Sequence, residues 1–381
     1  MRRNDLLYQR ARAILCIVLA SIVLASAQES SQRKSPSNPQ TEEQEPVKVF
    51  TEEVRLPVIA TDQYGYYDPT LETDEVLVLE DGVAQQVRSV RHVPANLLIV
   101  LDTGGELSGL GGQSKRTSLT RDVALELLKQ LPAETSTALM QFNNSVELLQ
   151  GWTKDREAAM TILKKRISSG KRARFADAIV AAAHQLQERP EGSRHVVFIT
   201  DGVDSGGGRL DRAEAMKRLL AVRATVHVIS YTEFVRQKKQ GQPSNISAGQ
   251  RPASSDPITS TDPTLPPGAT RSPSFGVSVR FDPAMRRQRK AYEADVKKSQ
   301  QFLTNVADET GGRIFLPKSR DEMLQQAKEV AREVGAEYVV TYRPKNPLAL
   351  ARQGEYRKVQ VASRRVGLNL RSRRGYVVAG L

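Results

Sequence analysis

The sequence predicts an α/β fold, in which helices cover both faces of a parallel sheet and antiparallel β segments from both ends of the chain frame it. Three observations carry that prediction. First, two apolar, β-branched runs, residues 96–101 and 195–200, each stop at a carboxylate with glycine within two residues, Asp102 before Gly104 and Asp201 before Gly202. A strand buried on both faces reads this way where it delivers a loop to the carboxyl edge of an open sheet, the edge where such folds place ligands. Second, strand-length and helix-length runs alternate from about residue 95 to 335, as βαβ units require. Third, the stretch before that block shows period-two alternation bounded by Asp-Gly turns, which argues for antiparallel strands, and the stretch after it returns to strand-like segments.

The chain opens with Arg2, Arg3, Arg10 and Arg12, then an apolar run at 13–24 and Ala25-Ser26-Ala27. That is the charged, apolar and small-residue order of a secretory signal peptide, so residues 1–27 are expected to be cleaved after Ala27. A retained anchor is the alternative, although the run is short for a membrane span. The single cysteine, Cys16, lies inside this run. A cleaved chain would have no disulfide, cysteine metal site or cysteine nucleophile. The expected location is exported, periplasmic or extracellular, with no stable membrane span after cleavage.

Residues 28–46, rich in Ser, Gln, Glu and Pro, read as a disordered linker. Residues 47–94 alternate with period two, with turns at 62–65 and 80–82, and form the first β segment. Strands are then expected at 96–101, 137–142, 146–149, 196–200, 225–231 and 313–316, and helices at 120–131, 156–167, 175–187, 210–222, 282–310 and 320–334. Residues 237–280 are dense in Pro, Ser, Thr and Gly, too long for an ordered loop, and read as a disordered insertion in a domain spanning 95–335. The stretch 336–381 returns to strands at 337–342, 357–362, 367–370 and 375–378, expected to meet the first β segment in one antiparallel β-sandwich.

Hydrophobic residues make up 39% and charged residues 26%, enough for a packed core, and the formal net charge is +13. The basic residues are spread along the chain and aromatics are only 5%, whereas nucleic-acid binding wants a basic stripe interleaved with exposed aromatics. No nucleic-acid partner is expected. A basic exterior favours acidic envelope components or anionic surfaces.

Enzyme signatures do not assemble. Ser169-Gly170-Lys171 is no phosphate loop, because Lys165 stands at the first glycine position and Arg172 where Ser or Thr is required. Gly202 and Ser205 have the wrong spacing for a nucleophile elbow. The histidines His92, His184, His195 and His227 show no ligand or triad spacing, and His184, in an Ala-rich helical run, reads as packing. Gly206, Gly207 and Gly208 read as a flexible turn, with anion cradling at a helix start as the alternative.

The order of the signposts Leu79-Glu80-Asp81-Gly82, Asp102, Phe175-Ala176-Asp177, Thr200-Asp201-Gly202-Val203-Asp204, Thr310-Gly311-Gly312-Arg313 and Glu337-Tyr338-Val339 resembles the von Willebrand factor A proteins, in particular an acidobacterial-type subfamily. The resemblance implies a Rossmann-like domain, an exported protein, and a non-enzymatic role in binding protein or matrix. It also implies a metal site built from an Asp-x-Ser-x-Ser loop, a middle-loop threonine and the later aspartate. A hard divalent ion wants about six oxygens, and such a set supplies most of them. Here Asp102 and Asp201 match, Glu106 replaces the second serine, and Gly104 and Ala173 offer no side-chain oxygen.

The family's site is therefore degraded, and three readings stay open. Asp102, Glu106 and Asp201 hold Mg or Ca as a metal-binding adhesion module; or Lys171, Arg172 and Arg174 replace the metal's positive charge; or the two aspartates only cap loops. No cofactor is expected. A protein or envelope partner is expected at an edge formed by Thr103, Gly104, Gly105, Lys171, Arg172, Arg174, Gly202 and Asp204. A hydrolase or nucleotide-binding enzyme at the same edge is the rival from another class.

Overall fold

Strands from the two ends of the chain interleave in one antiparallel sheet. In the computed structural model, which describes residues 53–104, 113–189, 192–204, 211–241 and 283–378, seven described strands follow one another across it. Their order is β12 (Asn369–Ser372), β1 (Val54–Thr61), β10 (Glu337–Arg343), β3 (Val83–His92), β2 (Val76–Glu80), β11 (Tyr356–Ser363) and β13 (Gly375–Val377). All described residues belong to one compact unit, Thr51–Leu381. The expected signal peptide, the linker and residues 242–280 of the expected insertion lie outside the described residues, whereas the first residues of that insertion, 237–241, are helical.

The two β segments thus meet as expected, but as one continuous series of strands curled around its own core. Outermost strands β12 and β13 are separated along the chain only by Arg373 and Arg374, which draws the ends of the sheet round. Alternate residues of β1, Val54, Leu56 and Val58, point into that core with Val76, Val78, Val340 and Val359. Within it Glu80 is wholly partnered. Its Oε1 accepts from Arg357 Nη1 at 3.0 Å, and its Oε2 accepts the Tyr342 and Tyr376 hydroxyls at 2.6 and 2.9 Å. Arg357 donates further to the Asn346 and Pro347 carbonyls. A buried ion pair is tolerable only when its remaining donors and acceptors are satisfied in this way. Burial and Glu80 together push the Tyr342 phenol up, so it stays a donor.

The α/β layer is a six-stranded sheet among the described residues, ordered β6 (Val146–Thr153), β5 (Ser136–Phe142), β4 (Ala95–Asp102), β7 (Ser193–Ile199), β8 (Thr225–Ile229) and β9 (Ile314–Phe315). β4 is buried at all eight positions, which is why its sequence is a continuous apolar run and not an alternating one. Leu97, Ile99 and Leu101 face α1 (Gln113–Gln130), α2 (Arg156–Arg166) and α7 (Arg320–Ala336). Leu98 and Val100 face α3 (Phe175–Gln187), α4 (Arg212–Ala221) and α6 (Pro283–Thr310). Each such buried side chain contributes roughly 2 kcal/mol of transfer free energy.

Two details depart from the sequence reading. Edge strand β6 runs antiparallel to β5, because only a three-residue turn joins them and a parallel pair needs a crossover. Residues 232–241 form a helix, α5 (Thr232–Gly241), where the polar composition gave no apolar period beyond Phe234 and Val235.

Where the two layers meet, the amino ends of β7 and β8 bury two histidines against α7 and the start of β10. His195 Nε2 lies 3.2 Å from Glu337, and His227 Nδ1 lies 3.3 Å from Glu333, the two rings stacked 5.9 Å apart. Glu333 also pairs with Arg313 at 2.9 Å and Arg371 at 2.8 Å. Burial pushes the His227 imidazole down to about 3. Burial would raise Glu333, but His227, Arg371 and Arg313 outweigh it and hold its carboxyl below the usual carboxylate range. His184, expected to be packed, is instead 71% exposed and faces Glu188 one helical turn on. The Ala-rich face of α3 that packs is Ala178, Ile179, Ala182, Ala183 and Leu186, and His184 falls on the other side.

Candidate functional site

Because β4 and β7 are parallel neighbours in register, their carboxyl ends bring Asp102 and Thr200-Asp201 side by side. Asp102 is fully buried. Its Oδ1 accepts from the Gly104 N–H at 3.1 Å, and its Oδ2 accepts the hydroxyls of Thr200 at 2.7 Å and Tyr231 at 2.9 Å. The Thr200 hydroxyl in turn accepts the Gly202 N–H at 2.9 Å. A buried carboxylate is costly unless donors surround it, and here the protein's own donors do so.

The middle loop, residues 167–174, is sewn onto the same strand end. The Gly170 N–H donates to the Thr103 carbonyl at 3.0 Å, and the Thr103 N–H donates to the Phe142 carbonyl at 3.0 Å. Asn143 Nδ2 donates to Thr103 Oγ1 at 3.2 Å and to the Ser168 carbonyl at 3.3 Å. The Arg174 N–H closes onto the Asn143 carbonyl at 3.2 Å. This brings the loop backbone directly over Gly104, where a Cβ would collide with the Arg172 carbonyl and lie 3.1 Å from Ala173 Cα. Glycine at 104 is therefore a steric requirement as well as a missing hydroxyl.

Asp201 is also buried, and its Oδ1 accepts the Val203 N–H at 3.0 Å. Gly202 takes a left-handed φ of +69°, and a Cβ there would lie 2.6 Å from Leu303 of α6. Asp204 Oδ2 accepts the Ala176 N–H at 3.0 Å. It thereby caps the first turn of α3, whose N-cap residue Arg174 supplies no side-chain cap. A carboxylate at a helix N-terminus satisfies an otherwise orphaned donor and the helix dipole together.

Of the expected edge residues, Thr103, Gly104 and Gly202 are buried, Asp204 and Arg174 are half-buried, and Lys171 and Arg172 are exposed. Arg174 Nη1 lies 3.9 Å from Asp177. Gly105 and Glu106 lie outside the described residues, as do Gly206, Gly207 and Gly208. Among the described residues no group of three His, Cys, Asp or Glu is placed to hold a metal ion. The described donors also fit a divalent ion poorly: hydrogens from Gly104, Thr200 and Tyr231 point at the Asp102 oxygens, and Ala173 and Gly104 bring no side-chain oxygen.

Tyr231 is the site residue that sequence reasoning missed. It stands two positions beyond β8, is fully buried, and brings its hydroxyl to Asp102 from 129 positions away. The signal was a tyrosine ending the strand run 225–231.

Several solved structures are similar to this chain. A von Willebrand factor type A protein from Catenulispora acidiphila is 10% identical with a TM-score of 0.42, the match covering 85% of this chain and 73% of that one. The PilB minor pilin from Streptococcus sanguinis is 13% identical with a TM-score of 0.40, covering 65% and 62%. An aerotolerance-related membrane protein from Bacteroides fragilis is 16% identical with a TM-score of 0.38, covering 63% and 98%. No curated protein matches the chain. Residues 97–203, which run from the third residue of β4 to the loop after β7, match the family model of the von Willebrand factor type A domain, and over that segment the chain is similar to such domains.

Proposed function

We propose that the chain is an exported, non-enzymatic interaction protein that binds a protein or envelope partner at the carboxyl edge of its parallel sheet, without a metal. The supporting observation is the closed hydrogen bonding of Asp102, whose oxygens are taken by Gly104, Thr200 and Tyr231 while the middle loop packs over Gly104. Positive charge reaches the edge instead through the exposed Lys171 and Arg172. Guanidinium and ammonium groups suit an acidic partner, arginine through paired hydrogen bonds to a carboxylate. Export rests on the order of charges, apolar run and Ala25-Ser26-Ala27 at the start of the chain.

Thermal melts in magnesium, calcium or chelator test the metal-free reading, with coincident curves expected. A rise of several degrees with either ion, abolished in Asp102→Ala, would restore the metal-binding adhesion reading with Glu106 as the third carboxylate. Asp102→Ala itself is expected to cost about 3 kcal/mol in any buffer, since it strands buried donors. Capture from envelope extract, compared between the wild type and a Lys171→Ala, Arg172→Ala double variant, tests the edge. Equal capture by both would move the binding surface elsewhere.

A further inference from the structure

The opposite end of the parallel sheet opens into a cavity of about 300 Å³, walled by the outward face of the seven-stranded sheet and by the residues that lead into β7 and β8. Among the described residues its lining includes five arginines, Arg55, Arg88, Arg91, Arg194 and Arg223, against two carboxylates, Glu53 and Glu337.

Register explains how the sheet supplies three of the five. Arg55 of β1 and Ser89 of β3 both lie opposite Thr341 of β10, and Arg91 lies opposite Val339. Arg88 joins them through a β-bulge. Thr341 pairs with Ser89 but Tyr342 pairs with Val87, so Arg88 is the extra residue and lines the same cavity as Ser89. Bulges commonly re-aim a side chain at a site.

The α/β layer supplies the other two. Arg194 is braced at the head of β7, donating from Nε to the Arg189 carbonyl at 2.6 Å and from Nη1 to the Val222 carbonyl at 2.8 Å. Arg223 holds a left-handed φ of +58°, a conformation that costs a non-glycine residue strain and tends to persist at functional positions. Its guanidinium lies 4.9 Å over the Tyr376 ring. Burial and the charges of Arg223 and Arg55 hold the Arg194 guanidinium below its ordinary pKa.

The carboxylates do not balance this charge. Glu53 makes a single 3.5 Å contact with Arg88 at the exposed rim. Glu337 is already engaged by His195 at 3.2 Å and by the Thr225 hydroxyl at 3.0 Å. Crowded cations of this kind raise the local potential for an anion, and arginine forks match phosphate and carboxylate geometry. A volume at the low end of ligand pockets admits a compact molecule and not a polymer. We propose that this cavity binds a small polyanion bearing two or more phosphate or carboxylate groups, at a site separate from the carboxyl edge.

Isothermal titration of the full chain with pyrophosphate and with citrate, at low and at physiological salt, tests this. One-to-one binding of at least one probe is expected, weakening as salt rises. Binding by pyrophosphate alone assigns a phosphate ligand, and by citrate alone a carboxylate ligand. Arg55→Ala and Arg91→Ala, both at exposed positions, should each weaken binding about tenfold or more while leaving the melting temperature unchanged. Lys171→Ala at the other edge should bind as the wild type does. The proposal is overturned if neither probe binds with a Kd below about 1 mM at low salt, or if the arginine variants keep wild-type affinity.

Discussion

At the carboxyl end of the parallel sheet the buried carboxylate of Asp102 accepts from neutral donors of three loops. At the amino end His195 and His227 lie against Glu337 and Glu333, with Arg313 and Arg371 beyond and an arginine-lined cavity outside. Both ends bury charge, but the first surrounds it with hydroxyls and N–H groups, and the second pairs carboxylates with imidazoles and guanidinium groups. Opposite surroundings follow: the motif-bearing end is sealed by a loop backbone, and the end without a motif is the one that opens into a cavity.

The sharpest way to break this comparison is Gly104→Ser, which restores a hydroxyl to the family's motif position. The Arg172 carbonyl occupies the space a Cβ needs, so a loss of about 3 kcal/mol or more is expected in denaturant titrations, with no gain of magnesium dependence. A serine variant as stable as wild type would mean that the middle loop is not held over Gly104.

Acid should act at the other end. His227 titrates near 6.5 when unfolded and at about 3 when buried, so between those values the unfolded chain binds more protons than the folded one. Stability is therefore complete above about pH 6.5 and falls as pH is lowered, by at most about 1.4 kcal/mol per unit. Glu333, held low by its partners, pushes in the same direction further into acid. His227→Gln should flatten the dependence of melting temperature on pH below 6.5; an unchanged slope would place the acid sensitivity elsewhere.

Smaller effects sharpen the contrast. Tyr231→Phe removes one of the donors to Asp102 and should cost about 1 kcal/mol in denaturant titrations. Lys171→Ala with Arg172→Ala, at exposed positions, should change stability by no more than about 0.5 kcal/mol. A larger loss would show that these two side chains hold the loop in place.

Much of the fold was legible because it rests on local patterns. The unbroken apolar run of β4 announced a strand buried on both faces, and α3 was bounded to the residue at Phe175–Gln187 by its apolar stripe. The meeting of the terminal β segments was also readable, from strand-like segments on both flanks of the α/β block. Helix α5 was not, since its polar face masks the two residues, Phe234 and Val235, that anchor it. His184 was misplaced for the converse reason: a helix rich in alanine reads as buried all round, while its spacing buries one side only.

At the candidate site the sequence by itself determined the end of the sheet where Asp102 and Asp201 would emerge, because strand ends and carboxylates are adjacent in the chain. Only the tertiary structure decided what surrounds them. Tyr231 reaches Asp102, the Arg172 carbonyl excludes any side chain from position 104, and Asp204 caps a helix that begins 29 positions earlier, at Phe175. The same holds for the arginine-lined cavity, whose five arginines come from β1, β3, the head of β7 and the lead into β8 and are brought to its lining by register and one bulge. Pattern along a chain reports which face is apolar, whereas the convergence of polar groups depends on distances set by packing between segments far apart in sequence.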